Sequence, residues 1–257
     1  MGKMDEYLEA LDDFLRPLKN SPCYESIRMS YLNPERFSYW VGWIERYAAL
    51  DDALVLDFGC GSGGLLLALE ARGARGIGVE VDRKLCDLAK MQCKSDIFFT
   101  DGKELPFPDE YFDVCMSIHV LEHVIDLELY IKELCRVLKP GCIGLIECPN
   151  RFYPIEAHTN LPILPIIPKK LTDTISRQAY GKISPGLEMK LRGLEHLPNY
   201  ISYFKLKNLL SGVKILEFNP TQRFLAENGW TTAHENLFRA FALMFSKSHL
   251  VIFKKEK

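Results

Sequence analysis

Apolar residues follow two rhythms along this chain. Short unbroken apolar runs stand at 53–58 (ALVLDF), 76–81 (GIGVEV), 96–100 (DIFFT), 111–118 (YFDVCMSI) and 142–148 (CIGLIEC). Runs of that length, rich in β-branched and aromatic residues, predict strands. Between them, 64–72 (GLLLALEAR), 82–92 (DRKLCDLAKMQ) and 127–138 (LELYIKELCRVL) repeat their apolar positions every three or four residues, which predicts helices. Strands alternating with helices imply βαβ units, hence a mainly parallel sheet with helices on both faces. The strands are apolar throughout, as strands covered on both sides are.

The ends of the chain behave differently. Tyr7, Leu8, Leu11, Phe14 and Leu15 lie at helical spacing before Pro17, and a second helical segment is predicted over about 34–50, with Pro34 at a first helical position. Beyond Cys148 the regularity fails until about Val213, and prolines recur, so an insertion of turns and short helices is expected at about 150–212. VKILEF (213–218) and HLVIFKKE (249–256) predict two last strands around a helix near 235–245. The expected organisation is an N-terminal helical segment over 1–50 and a domain over 51–257. Insertions at strand carboxyl ends border the ligand crevice of such sheets.

Composition narrows the class. The 257 residues are 47% apolar and 26% charged, ordinary for a globular protein. With 32 Lys plus Arg against 34 Asp plus Glu, the net charge of −2 argues against a dedicated nucleic-acid binder. No run approaches the length of a membrane-spanning helix, and the N-terminus is acidic and amphipathic rather than signal-like, so a cytoplasmic protein is expected. Eight cysteines include no C-x-x-C pair, which excludes a zinc ribbon and points to buried free thiols.

The chemistry concentrates where the first strand meets its helix. Asp57-Phe58-Gly59-Cys60-Gly61-Ser62-Gly63-Gly64 is a glycine-rich turn that lets backbone approach a ligand, with helix N–H groups aimed at it. Alone it suits a dinucleotide, a nucleoside or a mere tight turn. Glu80 ends the second strand, 23 residues beyond Asp57, where a carboxylate is placed to accept ribose hydroxyls. Asp101, beside Gly102, follows the third strand, where a carboxylate is placed to meet an adenine amino group. A nicotinamide dinucleotide fits less well, because the turn reads G-C-G-S-G-G and not G-x-G-x-x-G.

In order, VLDFGCGSG, GVEVD, TDGKELPFPDEYFDVCMS and VLEHV resemble class I S-adenosylmethionine-dependent methyltransferases of the UbiE/UbiG-like branch, over roughly 53–149. The resemblance implies a Rossmann-like seven-stranded sheet, mainly parallel, with an antiparallel last strand. It implies that Asp57, Gly59, Cys60 and Gly61 cradle the methionine part, that Glu80 with Val81 holds the ribose, and that Asp101 with Gly102 faces the adenine, Ser117 completing the cofactor set. It also implies that the segment over 1–50 lids the cofactor, with Tyr31, Arg36, Tyr39 and Trp40 as possible contacts.

Methyl transfer from a sulfonium needs alignment above all, and a base for a hydroxyl acceptor. His119-Val120-Leu121-Glu122-His123 follows the fourth strand, and a helical turn there would put His119, Glu122 and His123 on one face. The string resembles the E-x-x-E-H of metal-assisted O-methyltransferases with His in place of the first Glu. These three are therefore weak metal candidates, and no divalent metal is expected. His119, Glu156 and His158 are the candidate catalytic residues, the last two from the P-N-R-x-x-P-I-E-x-H string after the fifth strand. The apolar stretch 161–168, next to Lys169 and Lys170, suits a lipid-linked or aromatic acceptor and at most peripheral membrane contact. The expected reaction yields S-adenosyl-L-homocysteine and a methylated small or lipid-linked acceptor, with no nucleic-acid partner, from a monomer or homodimer. The competing readings are a nucleic-acid or protein methyltransferase and a protein that binds the cofactor without transferring.

Overall fold

The computed structural model describes residues 2–20, 24–153, 200–218 and 246–256. The expected helix near 235–245 and most of the insertion, with Glu156 and His158, lie outside these residues. Helix α1 spans Lys3–Leu15, α2 Tyr24–Leu32, α3 Ser38–Glu45, α4 Gly64–Glu70, α5 Arg83–Gln92, α6 Leu127–Val137 and α7 Tyr203–Leu209. Strands run β1 Leu54–Phe58, β2 Arg75–Glu80, β3 Asp96–Phe99, β4 Phe112–Ile118, β5 Leu138–Pro149, β6 Lys214–Phe218 and β7 Ser248–Lys254.

They form one seven-stranded sheet in the order β3-β2-β1-β4-β5-β7-β6. The first five strands are mutually parallel, and β7 runs antiparallel to both β5 and β6. The mainly parallel sheet with an antiparallel last strand is thus what the apolar pattern and the resemblance imply. Two boundaries differ from expectation. The segment predicted as one helix over about 34–50 is a 3₁₀ turn at Pro34–Phe37 followed by the shorter α3. Strand β5 begins at Leu138, not near Cys142, because Leu138 pairs with Phe112 before a bulge restores the register at Val114–Ile143.

Alternate residues of each strand feed two cores, one per face. Val55, Val114, Met116 and Leu145 meet Trp40 and Ile44 of α3 and Leu66 of α4 on one face. Leu56, Cys115, Ile146 and Val251 meet Ile131 and Leu134 of α6 and Leu206 of α7 on the other. Helix α1 lies outside this, packing Tyr7, Leu11 and Leu15 onto Leu88 of α5. The cysteines follow the buried-thiol expectation. Cys60, Cys86, Cys93, Cys115 and Cys148 are buried, and every cysteine among the described residues is free. Among the described residues no helix is long and apolar enough to cross a membrane.

At the amino end of the strands, charges are paired. Arg136 of α6 donates to both carboxylate oxygens of Glu133 and to Asp109, each at 2.8 Å, and to the carbonyls of Phe107 and Leu105. It thereby staples the LPFPDEYFD segment to α6. Lys139 Nζ lies 2.7 Å from Asp113, whose other oxygen accepts the Leu54 amide at 2.9 Å.

Candidate active site

At the opposite, carboxyl end of the strands the backbone turns left-handed at Gly59, Gly61, Gly63 and His119. Gly59, immediately after β1, has φ +91°, and its amide and that of Cys60 both donate to the Val79 carbonyl of β2, at 2.8 and 3.0 Å. A Cβ on Gly59 would lie 2.4 Å from a Val120 methyl, so the turn passes too close for any other residue. Gly61 also holds a left-handed φ, +53°, and a Cβ there would project into open space. Gly63 then caps α4, whose first turn points into the same crevice.

Glu80 is what holds this turn. Its buried carboxylate accepts the Gly61 amide at 2.8 Å through one oxygen, and the Val81 and Asp82 amides at 2.7 and 3.0 Å through the other. A carboxylate has about four acceptor positions, so room for one further donor remains. Asp57, only 3% exposed on β1, sits beside it. Burial, then the neighbouring Glu80 charge, push the Asp57 carboxyl up to about 8. Burial likewise drives the Cys60 thiol far above its usual range, so it is an inert wall group. Val81 is exposed at the rim; Asp101, after β3, is exposed too, its Oδ1 accepting the Lys103 amide at 3.1 Å. Gly102 next to it adopts φ +78°.

Ser117 is placed differently from the other expected cofactor residues. It is fully buried, with Oγ 2.8 Å from the Tyr130 hydroxyl. Tyr130 commits its own proton to the Phe58 carbonyl at 3.0 Å, so Ser117 donates to the phenol, and its hydroxyl is spent on the α6 side of the sheet.

Beyond β4 the chain makes a 3₁₀ turn at Leu121–His123, not an α-helical one; His119 and Glu122 still approach each other, while His123 is exposed. His119 has φ +56°, rare for a non-glycine residue, and its amide donates to the Glu147 carbonyl at 2.8 Å. This twist leaves its imidazole 41% exposed, with Nδ1 3.8 Å from Glu122 Oε1 and Nε2 4.0 Å from Glu147 Oε1. These are charge-pairing distances, longer than hydrogen bonds. His123 is exposed, and no group of three His, Cys, Asp or Glu side chains among the described residues is arranged to hold a metal ion.

Glu147 escapes sequence reasoning. It is 1% exposed near the end of β5, and its oxygens accept the Trp40 indole N–H from α3 and the Ser248 hydroxyl from β7. The available signal is a carboxylate inside an otherwise apolar strand, since an acid is not buried without partners. The N-terminal segment reaches this end at three points. Tyr7 lies beside Ser62 of the glycine-rich turn, the Phe37 ring covers Gly64, and Trp40 meets Glu147. Arg36 stacks over Phe37 at 4.9 Å and donates to the Ser30 carbonyl at 3.0 Å. Tyr31, partly buried and near Tyr7, has its hydroxyl pushed up to about 12 by the loss of solvent.

Comparison with known proteins agrees with this geometry. Residues 56–146 match a family described as a methyltransferase domain. The ubiquinone biosynthesis O-methyltransferase of Coxiella burnetii is 35% identical over 133 residues, 50% of this chain and 55% of that protein. That of Mesorhizobium japonicum is 28% identical over 142 residues, 53% and 55% of the two chains. The chain thus spans about half the length of the curated relatives it matches. Among solved structures, an S-adenosylmethionine-dependent methyltransferase from Mesorhizobium loti aligns with TM-score 0.60 at 16% identity, over 86% of this chain and 100% of that one. Magnesium protoporphyrin IX methyltransferase from Synechocystis with bound SAH aligns at 0.57 and 16%, over 95% and 93%, a likeness of fold. Residues 56–146 are thus similar to a methyltransferase domain, and the fold is that of the S-adenosylmethionine-dependent methyltransferases it aligns with.

Proposed function

We propose that this protein transfers a methyl group from S-adenosylmethionine to a hydroxyl of a small or lipid-linked acceptor and releases S-adenosylhomocysteine. The observation that carries the reading is the glycine-rich turn clasped by Glu80 and opening on the strand ends that present His119. The residues present suit the cofactor. Gly61 leaves open the space a Cβ would fill, Asp57 offers a buried carboxyl without a Lys or Arg partner among the described residues, and Glu80 retains an acceptor position. In this reading Asp57, Gly59, Cys60 and Gly61 take the methionine part, Glu80 and Val81 the ribose, and Asp101 with Gly102 the adenine. The bound cofactor supplies an electrophilic methyl on a sulfonium with a good leaving group.

What the chain adds is alignment, exclusion of water and removal of a proton. Holding acceptor oxygen and methyl in line is worth roughly 7–11 kcal/mol of barrier. The segment over 1–50 acts as a lid, supported by Tyr7 beside Ser62 and Phe37 against Gly64. His119 takes the acceptor proton at an imidazole nitrogen, with Glu122 and Glu147 close enough to meet the charge that results. Glu156 and His158 belong to the same proposal from the insertion. The relatives' printed name, an O-methyltransferase of ubiquinone biosynthesis, supports oxygen as the acceptor atom and a lipid-linked acceptor. The balanced charge supports a substrate other than nucleic acid, and the proposal includes a cytoplasmic monomer or homodimer with at most peripheral membrane contact.

The test uses purified protein, cofactor labelled in its methyl group and fractionated cell extract, with and without chelator. Label in the lipid or small-metabolite fraction, unchanged by chelator, is the expected result. Label in nucleic acid or protein, or none at all while S-adenosylhomocysteine binds, overturns the reading.

A further inference from the structure

We infer that Glu147 is a positioning residue that sets the orientation of the His119 imidazole and ties it to the N-terminal segment through Trp40. The inference rests on the proposed role of His119 for its consequence in catalysis, but not for its geometry.

Four observations converge on this one residue. The Glu147 carboxylate is almost fully buried, so it keeps its place only with partners. One oxygen accepts the Trp40 indole N–H, from 107 residues away in the chain. The other accepts the Ser248 hydroxyl and lies 4.0 Å from His119 Nε2. The same residue's carbonyl accepts the His119 amide at 2.8 Å, which helps to hold the left-handed φ of +56° that aims the ring. Backbone strain of this kind persists only where surrounding structure fixes it, and it gathers at functional positions. The Trp40 ring completes the frame, meeting the imidazole edge-on at 6.1 Å and 86°.

The arrangement follows the logic by which a buried carboxylate orients a histidine base and meets the imidazolium as it forms. Glu147 does not touch the acceptor. It acts through His119, and Trp40 makes that action depend on α3 lying over the sheet. Distances near 4 Å suit a site without acceptor, because catalytic contacts tighten when the reacting groups are bound.

The experiment has one arm independent of the acceptor. In isotope-labelled protein, Glu147→Gln is expected to shift both the Trp40 indole N–H resonance and the His119 ring resonances, the latter assigned with His119→Gln. If neither moves, the geometry is wrong and the inference falls, whatever the protein transfers. The second arm uses the labelled-methyl assay with the acceptor fraction. Glu147→Gln is expected to lower the saturated rate about tenfold while S-adenosylhomocysteine affinity stays within about twofold, and to add nothing in a His119→Gln background. A wild-type rate, or an equal loss in that background, overturns the inference. Should Glu147→Gln fail to fold, Ser248→Ala loosens the same oxygen and must shift the His119 resonances in the same direction. Transfer absent from the wild type would sink the functional reading and leave the resonance arm to decide this one.

Discussion

Buried carboxylates stand at both ends of the sheet, and the two ends treat them oppositely. At the amino end, the Arg136 guanidinium holds Glu133 below the usual carboxylate range. Burial alone would raise Asp113, but Lys139 and the Leu54 amide outweigh it and hold it low. At the carboxyl end, Glu80 is met by amides and Glu147 by an indole and a hydroxyl, and Asp57 lies buried beside Glu80. For Asp57 burial wins, and its carboxyl rises to about 8. His249, on β7 opposite Cys148, is driven the other way, down to about 4, by burial alone. One end neutralises its charges within the fold. The other leaves groups that a charged ligand or a transferred proton would satisfy, the arrangement expected of a working site.

The sharpest way to break this comparison is to remove the cation at the paired end. Arg136→Ala leaves Glu133 buried without its partner and frees the Leu105 and Phe107 carbonyls. Breaking such a pair costs roughly 3–5 kcal/mol. Denaturant unfolding should show a loss of that size, with little change in S-adenosylhomocysteine affinity. A loss under 1 kcal/mol would mean that the network is ornamental and that the two ends do not differ in kind.

A second test uses pH at the unpaired end. His249 is fully buried, and its folded value of about 4 lies below the unfolded value near 6.5. Between these values the unfolded chain holds a proton that the folded chain lacks, so stability rises with pH across the window and is lost as pH falls. The loss from pH 6.5 to pH 4 amounts to about 3 kcal/mol. His249→Leu should flatten that part of the stability profile. A slope unchanged by the substitution would show that His249 is protonated in the fold.

How much of this was legible beforehand depends on how local each feature is. The sheet was legible because its strands, covered on both faces, are continuous apolar runs. The start of β5 was not, since Pro140 and Gly141 look like a turn while Leu138 already pairs with Phe112. Asp57, the glycines and Glu80 were legible because one turn and one strand end bring them together. Glu147 was not, because its meaning comes from Trp40, 107 residues away, and Ser248, 101 residues away. The turn that carries Glu122 and His123 is 3₁₀ where an α-turn was assumed, and of the expected trio His119 and Glu122 approach each other while His123 is exposed.

Asp57 sharpens the comparison because its sign opposes that of His249. Its folded value of about 8 exceeds the unfolded 3.8, so the folded chain holds a proton that the unfolded chain has lost. Stability is full below about pH 4 and declines as pH rises toward 8. Asp57→Asn removes that decline, so the variant should gain on the wild type in melting temperature between pH 5 and pH 8. The same change withdraws a carboxylate from the methionine end, and S-adenosylhomocysteine should bind about tenfold more weakly. A variant equally stable at both pH values, relative to wild type, would show that Asp57 is ionised in the fold.

The smallest effect separates backbone strain from cradle. Gly61 needs a left-handed φ, yet a Cβ there meets no atom within 4 Å, so Gly61→Ala loses only the conformational preference, about 1 kcal/mol. Were the turn merely structural, that loss would appear in unfolding and S-adenosylhomocysteine affinity would stay level. If the open side of Gly61 receives the cofactor, affinity falls several-fold beyond anything the modest loss of stability explains. Gly59→Ala is the control: its Cβ would collide with Val120, so it should unfold the turn and weaken stability and affinity together. Only a Gly61 variant that loses affinity while nearly keeping its fold marks the carboxyl end as a binding surface built from backbone.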